Sequence, residues 1–260
     1  MRLDEYRGSD NERARTADLL RLLPRDRRTV LDIGAREGHF ARLMTDHFER
    51  VTALDIQIPR FRFPRVTALA GDVTRLPFQS DSFDCVLCAE VLEHVPDLRR
   101  ACSEIVRVAR HEIVIGVPYR QDTRVGRTTC ARCGKPNPPW GHINRFTEQR
   151  LVDLFSGTKV VDKSLVGVSP PYTNVVSALL MDWAGNPWGT YDQDEPCIYC
   201  GAVLVGPNHQ SVWKKICGAI AVRLNGLQAR LQKLHIGWLH IVFSKSVEPT
   251  GVAHASTHTV

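Results

Sequence analysis

The chain has 260 residues, 43% hydrophobic and 24% charged, which is enough to bury a full core as one α/β domain. No apolar run reaches the ~18 residues of a membrane span, and the mixed acids and bases of MRLDEYRGSDNERARTADLL argue against a secretory signal, so a cytoplasmic location is expected. The net charge of +6 admits an anionic partner, yet the basic residues are scattered and no dense Lys/Arg block reads as a nucleic-acid arm.

In chain order, residues 11–23 read as a helix stopped by Pro24, and Thr29 to Ile33 as a short strand ending in an acid and then Gly34. Residues 38–48 read as a helix, and Val51 to Asp55 as a second strand that again ends in an acid. Val66 to Ala70, Phe83 to Cys88 and Glu112 to Val117 are the third, fourth and fifth strands, with a helix over 96–109 before the fifth. Short apolar runs alternating with helical stretches predict βαβ units and a parallel sheet. After Pro118 the chain turns polar and rich in Gly, Pro and Arg. A helix is predicted over Phe146 to Phe155 with Thr147 as its N-cap, and a sixth strand over Lys159 to Val168. A long insertion follows, with an apolar helix near 174–183 and a longer helix at 211–234. Trp238 to Lys245 alternates like a final strand. The expected division is a core over 1–118, a loop over 119–147, core continuation over 148–168, the insertion over 169–236, the last core strand over 237–246 and a disordered tail over 247–260.

The segment Val30-Leu-Asp-Ile-Gly-Ala-Arg-Glu-Gly-His-Phe40 places Asp32 in a strand, then a glycine turn, then Gly38 opening a helix. Glycine lets backbone approach a ligand closely, and a helix N-terminus presents free N–H groups to an anionic group. Asp55 closes the second strand, where a carboxylate can accept both hydroxyls of a ribose. Asp72 follows the third strand, where it can receive an adenine amino group. Any one of these acids also suits an N-cap or turn; three acids at the ends of three consecutive strands point to one nucleoside pocket.

With these residues in place, the chain resembles the class I S-adenosylmethionine (SAM) dependent methyltransferases, in the branch with small acceptors. VLDIGAREG matches their first motif, VTALD carries the ribose acid, and GDVTRLPFQSDSFDCVLCAEVLEHVPD (71–97), HINRFT (142–147) and the closing WLHIVFSK follow the branch's pattern. The resemblance covers roughly residues 12–168 and 236–246. It implies a Rossmann-like, doubly wound seven-stranded sheet with a final antiparallel strand. It also implies Gly34 and Gly38 near the methionine moiety, Asp55 on the ribose, Asp72 with Val73 near the adenine, and Glu90 at the pocket floor. Arg36 stands where the family usually has glycine, so a side chain either crowds the methionine end or reaches its carboxylate. The segment IQIPRFRFPR is short and holds two prolines, which predicts a reduced helix and a more open adenine side.

Of the eight cysteines, Cys85, Cys88, Cys102 and Cys217 lie in apolar surroundings and read as small core residues. Cys130-Ala-Arg-Cys133-Gly134 and Cys197-Ile-Tyr-Cys200-Gly201 are two knuckles in which CxxC converges two thiolates and the glycine permits the tight turn. Two such units supply four thiolates, the pattern of structural zinc rather than catalytic zinc, with reduced thiols or a redox pair as the alternatives. The first knuckle follows strand five and the second follows strand six, so both leave from the same end of the sheet and staple a lid.

Methyl transfer needs mainly positioning, and a hydroxyl acceptor also benefits from a general base. His142 is the first candidate, against a structural role capping the helix or packing on Trp140; His94 and Tyr119 follow it. The helix at 211–234 carries Trp213, Ile216, Ile220, Leu224, Leu227, Leu231 and Leu234 on one stripe, with Lys214, Lys215, Arg223, Arg230 and Lys233 elsewhere. It either packs that stripe on the core or lies on a membrane beside a lipid-linked acceptor. The function expected is methyl transfer to a small-molecule, glycan or lipid-linked acceptor. An RNA or protein acceptor and a non-catalytic SAM-fold subunit are the alternatives.

Overall fold

The computed structural model describes residues 8–191, 193, 195–207 and 210–245. The tail expected over 247–260 lies outside them. Helix α1 (Asp10–Leu22) opens at Ser9, whose hydroxyl accepts from the Glu12 N–H, and ends before Pro24. There follow β1 (Thr29–Ile33), α2 (His39–Met44), β2 (Arg50–Asp55), β3 (Val66–Ala70), β4 (Phe83–Ala89), a single 3-10 turn at Leu92–His94, α3 (Leu98–Val108) and β5 (Ala109–Pro118). Two two-residue strands, β6 (Thr128–Thr129) and β7 (Pro136–Asn137), frame a small hairpin. Then come α4 (Glu148–Leu154), β8 (Thr158–Ser169), α5 (Val175–Ala184), α6 (Val212–Ala229) and β9 (His235–Lys245).

The main sheet has the order β3-β2-β1-β4-β5-β9-β8. Strands β1 to β5 pair in parallel, and β9 is antiparallel to both β5 and β8. This is the expected Rossmann-like, doubly wound seven-stranded sheet with a final antiparallel strand. Because β9 is antiparallel to each neighbour, β5 and β8 run parallel, so the connections leaving them emerge at the same end.

Alternation along the strands builds the two halves of the core, since successive side chains face opposite sides. Leu31, Val86, Cys88, Ile113 and Ile115 pack with Leu98, Ile105 and Phe155 on one face. Val30, Cys85, Leu87 and Val114 pack with Leu19, Met44 and Phe48 on the other. Strands buried on both faces read as the near-continuous apolar runs seen in the sequence.

Several elements differ from expectation in extent. Helix α2 covers Met44 at its end and stops at Thr45, short of residue 48. Residues 56–65 form no helix; Pro59 and Pro64 each remove a backbone donor there. Helix α6 stops at Ala229 rather than 234, and β9 starts three residues early at His235.

Asp84 ties the amino ends of β1 and β4 together. It is buried, and its Oδ2 accepts from the N–H groups of Arg28 and Thr29 and from the Thr29 hydroxyl, while Oδ1 accepts from Arg110 at 2.9 Å. Burial alone would raise its pKa, but these donors outweigh it and hold the carboxyl below the usual range. A depressed folded pKa stabilises above the unfolded value, so the contribution begins to fall at about pH 4 and is lost as pH drops through the lower folded value. Asp84→Ala, which leaves those donors without an acceptor, is expected to destabilise by about 2–3 kcal/mol at pH 7 and by much less near pH 3, read by urea unfolding.

Candidate active site

The carboxyl ends of β1, β2 and β4 lie side by side, at the end of the sheet where open α/β folds bind ligands. At the end of β1 the chain turns through Gly34 and Gly38, both left-handed at φ 80 and 78. A Cβ on Gly34 would stand 2.2 Å from the Val91 side chain, and one on Gly38 would stand 2.5 Å from the Phe61 ring, so both positions require glycine. The Gly34 and Ala35 N–H groups donate to the Leu54 carbonyl, which brings the turn against the end of β2. There Asp55 Oδ2 accepts from the Arg36 N–H at 2.8 Å. Arg36 is itself left-handed, at φ 43.

Asp32 is buried beneath this turn, and its Oδ2 has no hydrogen-bond partner. Burial pushes its pKa up to about 8 against the pull of the Ala41 N–H, so it is largely protonated at neutral pH. Asp72 Oδ1 accepts from both the N–H and the hydroxyl of Thr74, the turn role open to it from sequence. Val73 is buried beside it. Glu90 follows β4 with a left-handed backbone at φ 57, and its Oε1 lies 3.7 Å from Arg15 Nη1. The segment replacing the helix after β2 does not leave the turn bare, because Phe61, stacked on Phe63 at 4.8 Å, covers Gly38. Two open clefts of ≈ 490 and ≈ 460 Å³ lie elsewhere, one at the amino ends of β1 and β2 and one between Arg99 and Arg150.

The HINRFT segment is fastened to the loop after β4 by Asn144. Its backbone N–H donates to the Glu93 carbonyl, and its amide donates to the carbonyls of Leu92 and Val95. Phe146 is buried in the core and Thr147 caps α4. This clasp sets His142 edge-on to His94, ring centroids 4.7 Å apart. The Gln121 amide oxygen accepts from His142 Nδ1 at 2.7 Å, leaving the Nε2 lone pair. Burial lowers both imidazoles, His142 to about 3 with His94 adding to it, and His94 to about 4 with Arg36 adding to it. Both are neutral at pH 7, and His142 is a weak base.

The second knuckle sends a residue that sequence reasoning missed. Glu195 lies 3.8 Å from both Arg36 and His94, and its side chain covers Gly141. Nothing local in PCIYC signals this; it follows only from the fold.

The four knuckle cysteines come together. Cys130 and Cys200 sulfurs are 3.6 Å apart, Cys133 and Cys197 sulfurs 3.7 Å, and all four lie within 4.8 Å of one another. The knuckles match each other in the backbone. Cys130 N–H donates to Lys135 O and Gly134 N–H to Cys130 O, while Cys197 N–H donates to Ala202 O and Gly201 N–H to Cys197 O. Burial pushes the Cys197 thiol up, but the N–H groups of Tyr199 and Cys200 outweigh it and lower the thiol to about 6.

Residues 31–114 match the methyltransferase domain family. A Mycobacterium tuberculosis protein named "probable S-adenosylmethionine-dependent methyltransferase" is 30% identical over 156 residues, 57% of this chain and 54% of its own length. The ubiquinone biosynthesis O-methyltransferase of Serratia proteamaculans is 33% identical over 157 residues, 54% of this chain and 65% of its own. The chain thus spans between about half and two thirds of the curated relatives it matches. Among solved structures, the N-methyltransferase NodS from Bradyrhizobium japonicum WM9 superposes with a TM-score of 0.52 at 17% identity, covering 92% of this chain and 98% of its own. The 1,6-didemethyltoxoflavin-N1-methyltransferase of Burkholderia thailandensis does so with a TM-score of 0.52 at 19% identity, covering 94% and 82%. The fold is the Rossmann-like methyltransferase fold.

Proposed function

We propose that the chain is a SAM-dependent methyltransferase with a lid stapled by structural zinc, and that its acceptor is a small molecule or glycan carried on a lipid. The observation that carries the first part is the placement of the candidate site residues at adjacent strand ends. Within the matched domain, the glycine turn, Asp55 and Glu90 converge at the carboxyl ends of β1, β2 and β4. The donor set fits an adenosyl group: the turn offers glycine backbone without Cβ atoms, and Asp55 offers a carboxylate at the end of the neighbouring strand, roughly 20 residues after the end of β1. In this reading Gly34 and Gly38 border the methionine moiety, Asp32 supports the turn, Asp55 holds the ribose, Asp72 and Val73 border the adenine, and Glu90 forms the floor. SAM supplies an electrophilic methyl group when bound. The chain's own residues orient the acceptor and exclude water, with His142 facing it as a neutral imidazole.

Residues 1–118, 148–168 and 237–246 then make the core, and 119–147 with 169–236 make the lid. Zinc at Cys130, Cys133, Cys197 and Cys200 is supported by the sulfur separations, because a tetrahedral ion with Zn–S of about 2.3 Å sets sulfurs about 3.8 Å apart.

The lipid part rests on α5 and α6. They pack against each other through small residues, Ala178 and Ala184 on one and Gly218 and Ala221 on the other. The stripe on α6 faces outward instead, Trp213 being 67% and Leu227 62% exposed, with Ile216 and Ile220 also exposed. On α5, Val175, Val176, Leu179 and Trp183 are exposed as well. This replaces the reading in which the stripe packs on the core. An apolar surface of this extent with Lys215, Arg223 and Arg230 exposed beside it suits an anionic lipid interface. No helix among the described residues is long and apolar enough to cross a membrane.

Calorimetry is expected to show S-adenosylhomocysteine binding that Asp55→Ala weakens by about 1.5–3 kcal/mol. A wild-type chain that binds none refutes the enzyme and leaves a non-catalytic subunit. Elemental analysis is expected to give one zinc per chain, lost in Cys130→Ser and Cys197→Ser, with acceptor turnover impaired and cofactor binding largely kept. The protein is expected to co-sediment with anionic vesicles at low salt and less at high salt. Trp213→Glu with Leu227→Glu should abolish that. No vesicle binding, with steeply salt-dependent RNA binding instead, would point to an RNA acceptor.

A further inference from the structure

The loop after β4 buries a carboxylate that nothing in the fold requires. Glu93 is 0% exposed, and neither of its oxygens has a hydrogen-bond partner among the described residues. The nearest buried cation is already engaged. Arg15, 5% exposed, binds Glu12 through two hydrogen bonds and lies 3.7 Å from Glu90. Glu12, Glu90 and Glu93 thus gather near one buried guanidinium that Glu12 already binds. A buried carboxyl without a partner is held neutral unless a cation binds it.

Two imidazoles stand beside Glu93. One donor atom from each of Glu93, His94 and His142 lies within 4.8 Å of the other two. His94 Nδ1 is buried without a hydrogen-bond partner. His142 is oriented from behind by Gln121, which holds Nδ1 and leaves Nε2 for a ligand; metal-bound histidines are oriented by such contacts. A cation with ligands at about 2.1 Å sets donor separations of about 3–4 Å, within small side-chain rotations of this arrangement.

We propose that Glu93, His94 and His142 bind one divalent transition-metal cation of the Mn2+, Fe2+ or Co2+ class, separate from the four-cysteine site. One carboxylate and two imidazoles suit such ions, while four thiolates suit zinc. Three protein ligands leave coordination positions open near the carboxyl end of β4. There a cation takes an oxygen of the acceptor and makes a bound hydroxyl easier to deprotonate. That use rests on the methyltransferase reading and deepens the role given there to His142; the binding does not rest on it.

The test is a Mn2+ titration of the full chain, followed by loss of the free-ion paramagnetic resonance signal, with Co2+ titrated by absorption in parallel. S-adenosylhomocysteine affinity is measured on the same samples. One Mn2+ or Co2+ per wild-type chain is expected. Glu93→Gln and His142→Gln are each expected to weaken it by more than the ~10–100-fold that loss of a supporting contact costs, with S-adenosylhomocysteine affinity retained as evidence of folding. If Glu93→Gln does not fold, His94→Gln takes its place. Failure of the wild type to bind either ion stoichiometrically overturns the proposal, as does binding that all three variants leave intact. Loss of cofactor binding with metal binding kept would instead count against the methyltransferase reading alone.

Discussion

Two long connections, after β5 and after β8, leave the sheet at the same end, and the proposed chemistry at that end depends on their being fastened to each other. Among the described residues, the buried apolar cluster that spans both is the small one around Cys130, Cys197 and Leu204. Polar contacts do the fastening. Arg127 pairs with Asp182 at 2.8 Å, Tyr191 accepts from the Thr129 N–H and donates to the Gly185 carbonyl, and Asn137 accepts from the Ile198 N–H. Gly189 lies so close to the Arg127 carbonyl that a Cβ there would stand 2.1 Å from its oxygen. With the segments joined, Glu195 of the second reaches Gly141 of the first and meets Arg36.

The parts of this arrangement legible in the sequence are those with local signatures. A strand that ends in an acid and a glycine turn announces itself in VLDIGAREG, because the turn needs left-handed residues at fixed offsets. The cysteine pairs lie 63 residues apart, far beyond local reach, but the parallel direction of β5 and β8 brings their exits together and could be argued from strand order. Glu93 was not legible. In VLEHVPD it reads as a polar residue opening a helix, and only Asn144, fifty residues on, brings His142 to it. Glu195 likewise has no neighbour in sequence that marks it. Each of these depends on a contact between segments, which composition and periodicity do not encode.

Helix α6 shows a different limit. Its apolar stripe is plain in the sequence, but so is a narrower face of Cys217, Gly218 and Ala221, all buried. Periodicity identifies both faces without ranking them. The fold turns the small face inward because Gly218 admits the Trp188 ring, about as close as a Cβ there would allow at 3.0 Å. Close approach of two helices through small residues gains dispersion contacts along the backbone, so the large side chains are left on the outside.

Arg36 adopts a backbone conformation that costs a side-chain-bearing residue about 1 kcal/mol relative to glycine. In return its N–H meets Asp55 on the sheet and its guanidinium meets Glu195 on the lid. One residue thus touches both the end of β2 and the segment before the second knuckle, the nucleoside and acceptor sides of the proposed function. In the proposed function, any change that a ligand at Asp55 makes in the affinity for a ligand beside Glu195 is returned in equal measure to the affinity at Asp55.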